Sequence, residues 1–146
     1  MNHIKSLDDE EFQHMFEACE VSPGEFDHAA HVRLAYIYLC DNSVDDASEK
    51  MKQALIAFLI HLGADQTKYH ATITRAWIMA ADHFMNRSES CSSATEFINC
   101  NPQLLDNKIM LTHYSAQVLF SPAARKDFVA PDIEAIPVQI VCRSES

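Results

Sequence analysis

The sequence predicts an all-α fold: a compact up-down helical bundle with short C-terminal helices and an extended tail. Only two glycines occur in 146 residues, whereas hairpin-rich β folds need many glycines in their turns. Hydrophobic residues make up 48% of the chain, enough to fill one packed core at this length. Apolar residues also recur at helical spacing in four long segments. We therefore expect one helical domain over residues 1–146.

Start and stop signals place the first three helices. The predicted helix Leu7–Glu20 opens with a run of acidic residues, which suits the positive end of a helix dipole. The second helix could begin after Ser22, with Pro23 at its first position and Glu25 closing a capping box. We prefer a start after Asp27, a good N-cap, preceded by a short turn at Ser22, and an end near Cys40. The third spans Val44–Leu62, and a glycine at position 63 is placed to cap its C-terminus.

The later segments carry weaker signals. The fourth predicted helix runs from about Lys68 to Met85, after a cap at Thr67. Shorter helices are expected at 94–99, at 104–111 and after Ser121. The last residues, APDIEAIPVQIVCRSES, contain two prolines that disfavour helix. We expect this tail to be extended and to lie over the bundle.

Charge and composition exclude several classes of protein. The formal net charge of −10 disfavours binding to nucleic acids and to anionic membranes. The first residues lack the apolar stretch of a signal peptide, and the longest apolar run, ALIAFLI, is too short to span a bilayer. Five scattered cysteines without a C-x-x-C pair are typical of reduced thiols. We therefore expect a cytoplasmic protein, with its oligomeric state left open.

The segment FDHAAHVRLAYIYL places two histidines in the first turn of the most apolar helix. His28 and His31 are three residues apart, so they lie on the face that packs inward. His70 leads the inward face of the fourth helix. Helices joined by short connections run antiparallel, so the second and fourth helices begin at the same end of the bundle. We expect the three imidazoles to converge at that end.

Three imidazoles suit a divalent transition metal such as iron, zinc or copper. Three protein ligands with an open position are typical of a catalytic ion, and Glu17 is a candidate additional ligand because the first helix ends nearby. The H-x-x-H spacing differs from H-E-x-x-H and from the Glu-x-x-His pairs of di-iron bundles. The leading hypothesis is a metal-dependent enzyme acting on a small-molecule substrate, in which the metal activates water, dioxygen or a substrate oxygen.

Two motifs carry a resemblance to known proteins. F-x-H-x-x-H-[LV]-R at 26–33 and K-Y-H-x-T-x-T-x-x-W at 68–77 resemble those of a group of small, largely uncharacterised bacterial helical proteins. The stretch HYSAQVLFSPAARKDFVAPDIEAIP is similar to the C-terminal segment of that group, while Ala71 stands where the group has an acidic residue. The resemblance implies no reaction. It adds His113 to the candidate metal ligands.

Other side chains near these histidines are candidates for proton chemistry. Tyr69 and Tyr114 adjoin His70 and His113, and either phenol can donate a hydrogen bond or act as a general acid. Thr74 lies one turn after His70 and is a candidate to orient its ring. Arg33 and Arg75 point away from the histidine face, so surface ion pairs explain them, although either could bind an anionic group.

Three alternatives to the metalloenzyme stay open. The chain could be a non-enzymatic helical module that binds a ligand, or a protein partner steered by its acidic surface. It could be a metal-free lyase or isomerase with His70 and Tyr69 as its acid–base pair. In the plainest alternative, the histidines only pack in the core and cap helices.

Overall fold

A computed structural model describes residues 3–65 and 68–136. Within these ranges the chain forms α-helices and short 3-10 turns, with no strand. The helices are α1 (Leu7–Glu17), α2 (His28–Asp41), α3 (Val44–His61), α4 (Ala71–Arg87), α5 (Ala94–Cys100), α6 (Ala116–Leu119) and α7 (Pro122–Lys126). The 3-10 turns span Pro23–Glu25, Pro102–Leu105 and Asn107–Thr112. The predicted all-α fold is confirmed.

The first three helices begin at side-chain caps. Asp27 accepts a hydrogen bond from the Ala30 N–H at 2.9 Å and starts α2 at the predicted position. Helix α1 ends at Glu17, three residues before its predicted end, because Cys19 adopts the left-handed region at φ 61°. Gly63 adopts φ 70° just after α3, in keeping with its predicted role at that end.

Helix α4 starts at Ala71, three residues later than predicted, because His70 is its N-cap. The Nδ1 atom of His70 accepts a hydrogen bond from the Ile73 N–H at 3.1 Å. A serine, threonine, aspartate or asparagine usually fills this position, so local sequence rules gave no signal for it. The predicted cap, Thr67, lies outside the described residues.

The predicted helix at 104–111 is instead divided between two 3-10 turns. Asp106 has extended backbone angles and interrupts the helix. Its side chain then accepts a hydrogen bond from the Lys108 N–H at 3.0 Å and starts the second turn. Asp106 therefore ends the first turn with its backbone conformation and caps the second with its side chain.

Helix α2 is the centre of the molecule. It contacts α1, α3, α4, α5 and the 102–105 turn, and both of its tyrosines, Tyr36 and Tyr38, are buried. Helices α2 and α4 run in the same direction. The His28 ring contacts Trp77, with ring centroids 4.5 Å apart, while Tyr36, further along α2, reaches the carbonyl of Cys91 beyond the end of α4. Helix α3 packs against both, as the short connections predicted.

The described part of the tail, residues 127–136, has no helix and is tied to the bundle. The hydroxyl of Thr72 on α4 donates to the carbonyl of Asp127 and accepts from the Val129 N–H, both at 3.0 Å. The phenol of Tyr114 donates to the carbonyl of Val129 at 2.5 Å. Residues 137–146 lie outside the described ranges.

A buried carboxylate connects three of the helices. Asp9 on α1 is 1% exposed, and its Oδ2 accepts hydrogen bonds from the backbone N–H groups of Ser6 at 3.1 Å and Ala94 at 2.8 Å. Its Oδ1 accepts from Nε of Arg33 on α2 at 3.2 Å. One side chain therefore fixes α1, α2 and α5 relative to one another.

We expect Asp9→Asn to lower the free energy of unfolding by about 2–3 kcal/mol, since it removes the charge that three donors share. Asp8→Asn is the matched control because Asp8 is exposed on the same turn. Urea denaturation followed by circular dichroism measures both variants. Equal stability of the two variants would contradict a role for Asp9 in joining the helices.

Candidate functional site

His28 and His31 lie together at the start of α2, as predicted from their spacing. Their ring centroids are 6.5 Å apart. Nε2 of His28 donates a hydrogen bond to the carbonyl of Leu104 at 2.9 Å, and its ring edge meets Trp77. Nε2 of His31 is enclosed and has no hydrogen-bond partner among the residues described. We call these two side chains the imidazole pair.

His31 is neutral at physiological pH. Burial, and secondarily the neighbouring His28, lower the pKa of His31 to about 4. Part of the residue still touches solvent, but Nε2 itself does not. An enclosed polar atom without a partner is uncommon in folded proteins and often marks a functional position. This nitrogen is one of two such atoms in the part of the chain that is described, the other being Oγ of Ser48.

His70 is not part of the imidazole pair. Its Nδ1 caps α4, and its Nε2 donates to the carbonyl of Leu119 at 2.8 Å, so both ring nitrogens are occupied. His28 lies beside Trp77, which is two helical turns, about 10 Å, beyond His70 along α4. The second and fourth helices do begin at the same end, but this axial offset separates His70 from the pair.

The other candidate ligands lie elsewhere and have partners of their own. Glu17 accepts hydrogen bonds from the phenol of Tyr38 at 2.6 Å and from Gln13 at 3.1 Å. Nδ1 of His113 donates to the carbonyl of Glu134 at 2.8 Å, on the tail. Across residues 3–65 and 68–136, no group of three or more histidine, cysteine, aspartate or glutamate side chains is arranged to hold a metal ion.

Tyr114 serves the tail rather than an open site. Its side chain is fully buried, and burial raises the pKa of its phenol to about 12. Its hydroxyl is already committed to the carbonyl of Val129. The neighbouring Ser115 N–H donates to Asp132 at 2.8 Å. This stretch of the chain holds the described tail in place.

Tyr69 and Thr74 face an open, mainly apolar cleft of about 300 Å³, which we call the tyrosine cleft. It is lined by Pro23, Phe26, Leu55, Phe58, Leu59, Lys68, Tyr69, His70 and Thr74. Burial raises the pKa of Tyr69, and a side-chain hydrogen bond with Thr74 offsets part of that rise. Tyr69 is therefore a neutral hydrogen-bond donor at physiological pH.

The tyrosine cleft and the imidazole pair share one wall. The ring of Phe26 lies 6.0 Å from the ring of Phe58 inside the cleft and 6.1 Å from the ring of His31, measured between centroids. It also stacks on Phe16 at 4.7 Å. The sequence did not predict that α3 contributes to the cleft. There, Leu55 and Phe58 indicated only the apolar face of a helix.

Comparisons with protein-family models, with curated proteins and with solved structures gave no match for this chain. No helix within the described ranges is long and apolar enough to cross a membrane. The candidate site therefore rests on its own geometry.

We expect His31 to make the protein less stable in acid. Its native pKa of about 4 lies below the value of about 6.5 for an unfolded histidine, so the unfolded state binds more protons as the pH falls from 6.5 to 4. The loss of unfolding free energy through that window should be about 1–3 kcal/mol. Stability above pH 6.5 should not change for this reason.

His31→Leu should reduce that pH dependence, whereas His14→Leu, at an exposed position on α1, should leave it unchanged. Denaturant titrations at pH 7 and pH 5 measure the slope independently of any packing change. His70 and His83, whose pKa values are also lowered mainly by burial, are present in both variants and cancel. The same pH slope in His31→Leu and in the unsubstituted protein would contradict the assignment.

Proposed function

We propose that this protein binds a small molecule in the tyrosine cleft. The observation that carries the proposal is an open apolar cleft with a neutral phenol, Tyr69, among its lining residues. Ligand sites typically combine apolar walls with a few fixed polar groups. Phe26, Leu55 and Phe58 supply the apolar walls, and the phenol supplies a hydrogen-bond donor.

The polar groups of the cleft are held in place before a ligand arrives. The His70 ring next to Tyr69 is fixed at both nitrogens by Ile73 and Leu119. Thr74, buried on the first turn of α4, lines the cleft together with Tyr69. A ligand that accepts a hydrogen bond from the phenol therefore meets neighbouring side chains that are already positioned, which lowers the entropic cost of binding.

The side chains of the cleft also differ in their ability to donate a proton. The Tyr69 phenol is protonated at neutral pH and can serve as a proton donor to a bound substrate. His70 would have to give up its cap or its bond to Leu119 before it could exchange a proton. We therefore assign the donor role to Tyr69 alone, whether the bound molecule is a ligand or a substrate.

Tyr69→Phe should weaken binding of a ketone probe, cyclohexanone, by about fivefold, since it removes one hydrogen bond. Methylcyclohexane, which has no acceptor, should bind both proteins equally. Tyr38→Phe is the matched control, because Tyr38 lies in a separate polar cleft with Glu17. Titrations followed by ¹H–¹⁵N NMR locate the site.

Chemical-shift changes confined to residues outside the tyrosine cleft would overturn the proposal. So would equal affinity of Tyr69→Phe and the unsubstituted protein for the ketone. Thermal melting of each variant confirms that the fold is retained.

The imidazole pair supports a second candidate function, that of a metal-dependent enzyme. Nε2 of His31 has no partner in the described structure, and His28 lies beside it with Nδ1 uncommitted to any described residue. Two imidazoles suit iron, zinc or copper, but the remaining ligands would have to be water or substrate. A bound ion would act as a Lewis acid on a water or a substrate oxygen.

Elemental analysis of untagged, chelator-free protein, before and after reloading with each ion, tests this candidate. We expect near-stoichiometric metal in the unsubstituted protein and its loss in both His28→Ala and His31→Ala. His70→Asn should keep the metal, since asparagine can replace the N-cap and His70 lies outside the pair. No bound metal after reloading with iron, zinc and copper would overturn the candidate.

A further inference from the structure

A second apolar cleft, of about 510 Å³, lies between α1, α2 and α5, and we call it the arginine groove. Its walls include Met15, Val21, Ala29 and Ile98. Arg33 and Glu25 are the charged residues that line it. It shares no lining residue with the tyrosine cleft.

Arg33 is held rigidly in this groove. Its Nε donates to the buried Asp9 at 3.2 Å, and Asp9 is itself fixed by the N–H groups of Ser6 and Ala94. The guanidinium lies 4.5 Å from the ring centre of Phe12, in a cation–π contact. The side chain is 28% exposed, so solvent still reaches it.

The Nε atom is the one donor of Arg33 that a described residue uses. The two terminal nitrogens, Nη1 and Nη2, have no hydrogen-bond partner among residues 3–65 and 68–136. A guanidinium that is oriented at Nε and free at its terminal nitrogens matches the two oxygens of a carboxylate. Because the surrounding walls are apolar, the remainder of such a ligand would be apolar as well.

We propose that the arginine groove binds a small carboxylic acid with an apolar body, its carboxylate accepting hydrogen bonds from Nη1 and Nη2 of Arg33. The ion pair with Asp9 orients Arg33 and offsets part of its charge. The ligand is therefore a monoanion rather than a polyanion, which the net charge of −10 would repel. The inference does not depend on the function of the tyrosine cleft.

Removing the charge of Glu25 tests whether the ligand is an anion or a cation. Its carboxylate lines the same groove and accepts a hydrogen bond from the Ser22 N–H at 3.4 Å, in a capping box. As a like charge, it opposes an anionic ligand. Glutamine also completes a capping box, so Glu25→Gln removes the charge while keeping the local structure. A bound acid should gain affinity in this variant, whereas a ligand with an ammonium group would lose affinity.

The probe is 3-phenylpropionate, and its neutral counterpart is 3-phenylpropan-1-ol. In ¹H–¹⁵N NMR titrations of the full chain, we expect the acid to bind about tenfold more tightly than the alcohol. The shifted amides should include Ala29, Arg33 and Ile98. Glu25→Gln should tighten binding of the acid about threefold and leave the alcohol unchanged.

Three further variants keep the test decisive. Arg33→Lys should weaken the acid about tenfold, because an ammonium cannot bind a carboxylate at two parallel positions. Ala29→Trp, at an exposed position on α2, should block the groove while leaving Arg33 and Asp9 untouched. Tyr69→Phe should not affect binding of the acid, which separates this groove from the tyrosine cleft.

The proposal would be overturned if the acid and the alcohol bind with equal affinity. Shifts that map to the tyrosine cleft instead, or acid binding that survives Ala29→Trp unchanged, would also overturn it. Weaker binding of 3-phenylpropionate by Glu25→Gln would show that Glu25 supports binding of the acid rather than opposing it, contrary to the proposal.

Discussion

The arrangement of the helices depends on one buried carboxylate. A charge in the interior is costly unless donors surround it, and Asp9 receives hydrogen bonds from Ser6, Ala94 and Arg33. These partners belong to the cap of α1, the first turn of α5 and the middle of α2. Any relative shift of the three helices would leave the buried carboxylate of Asp9 without its hydrogen-bond donors. The same interaction orients the guanidinium of Arg33, so the contact that joins the helices also creates the polar feature of the arginine groove.

The axial offset between α2 and α4 decides which polar side chains meet. Asp27 starts α2 and His70 starts α4, yet the first turn of α2 lies beside Trp77. His28 therefore faces the middle of α4. The residues before α2 extend towards the start of α4. Phe26 therefore lines the tyrosine cleft together with His70.

Local rules account for what the sequence predicted well. Asp27 and the start of α3 follow from capping preferences, and the pairing of His28 with His31 follows from helical spacing alone. Axial offset is a property of packing between segments distant in the chain, so spacing could not have separated His70 from the pair. Arg33 shows the same limit. Helical spacing correctly predicted that Arg33 lies on a different face of α2 from the histidines. No local pattern indicated that the buried carboxylate of Asp9 and helix α5 would lie beside that face.

The neutral state of His31 follows from its burial rather than from a hydrogen bond. His31 sits where burial disfavours the charged ring, and its enclosed Nε2 gains nothing in return from the residues described. Leaving a polar atom in this state costs about 1–3 kcal/mol, and a leucine of similar size would avoid that cost. The Phe26 ring lies beside the His31 ring and also lines the tyrosine cleft. Phe26, in the short segment that connects the 3-10 turn Pro23–Glu25 to α2, therefore contributes to both proposed functions for this end of the bundle.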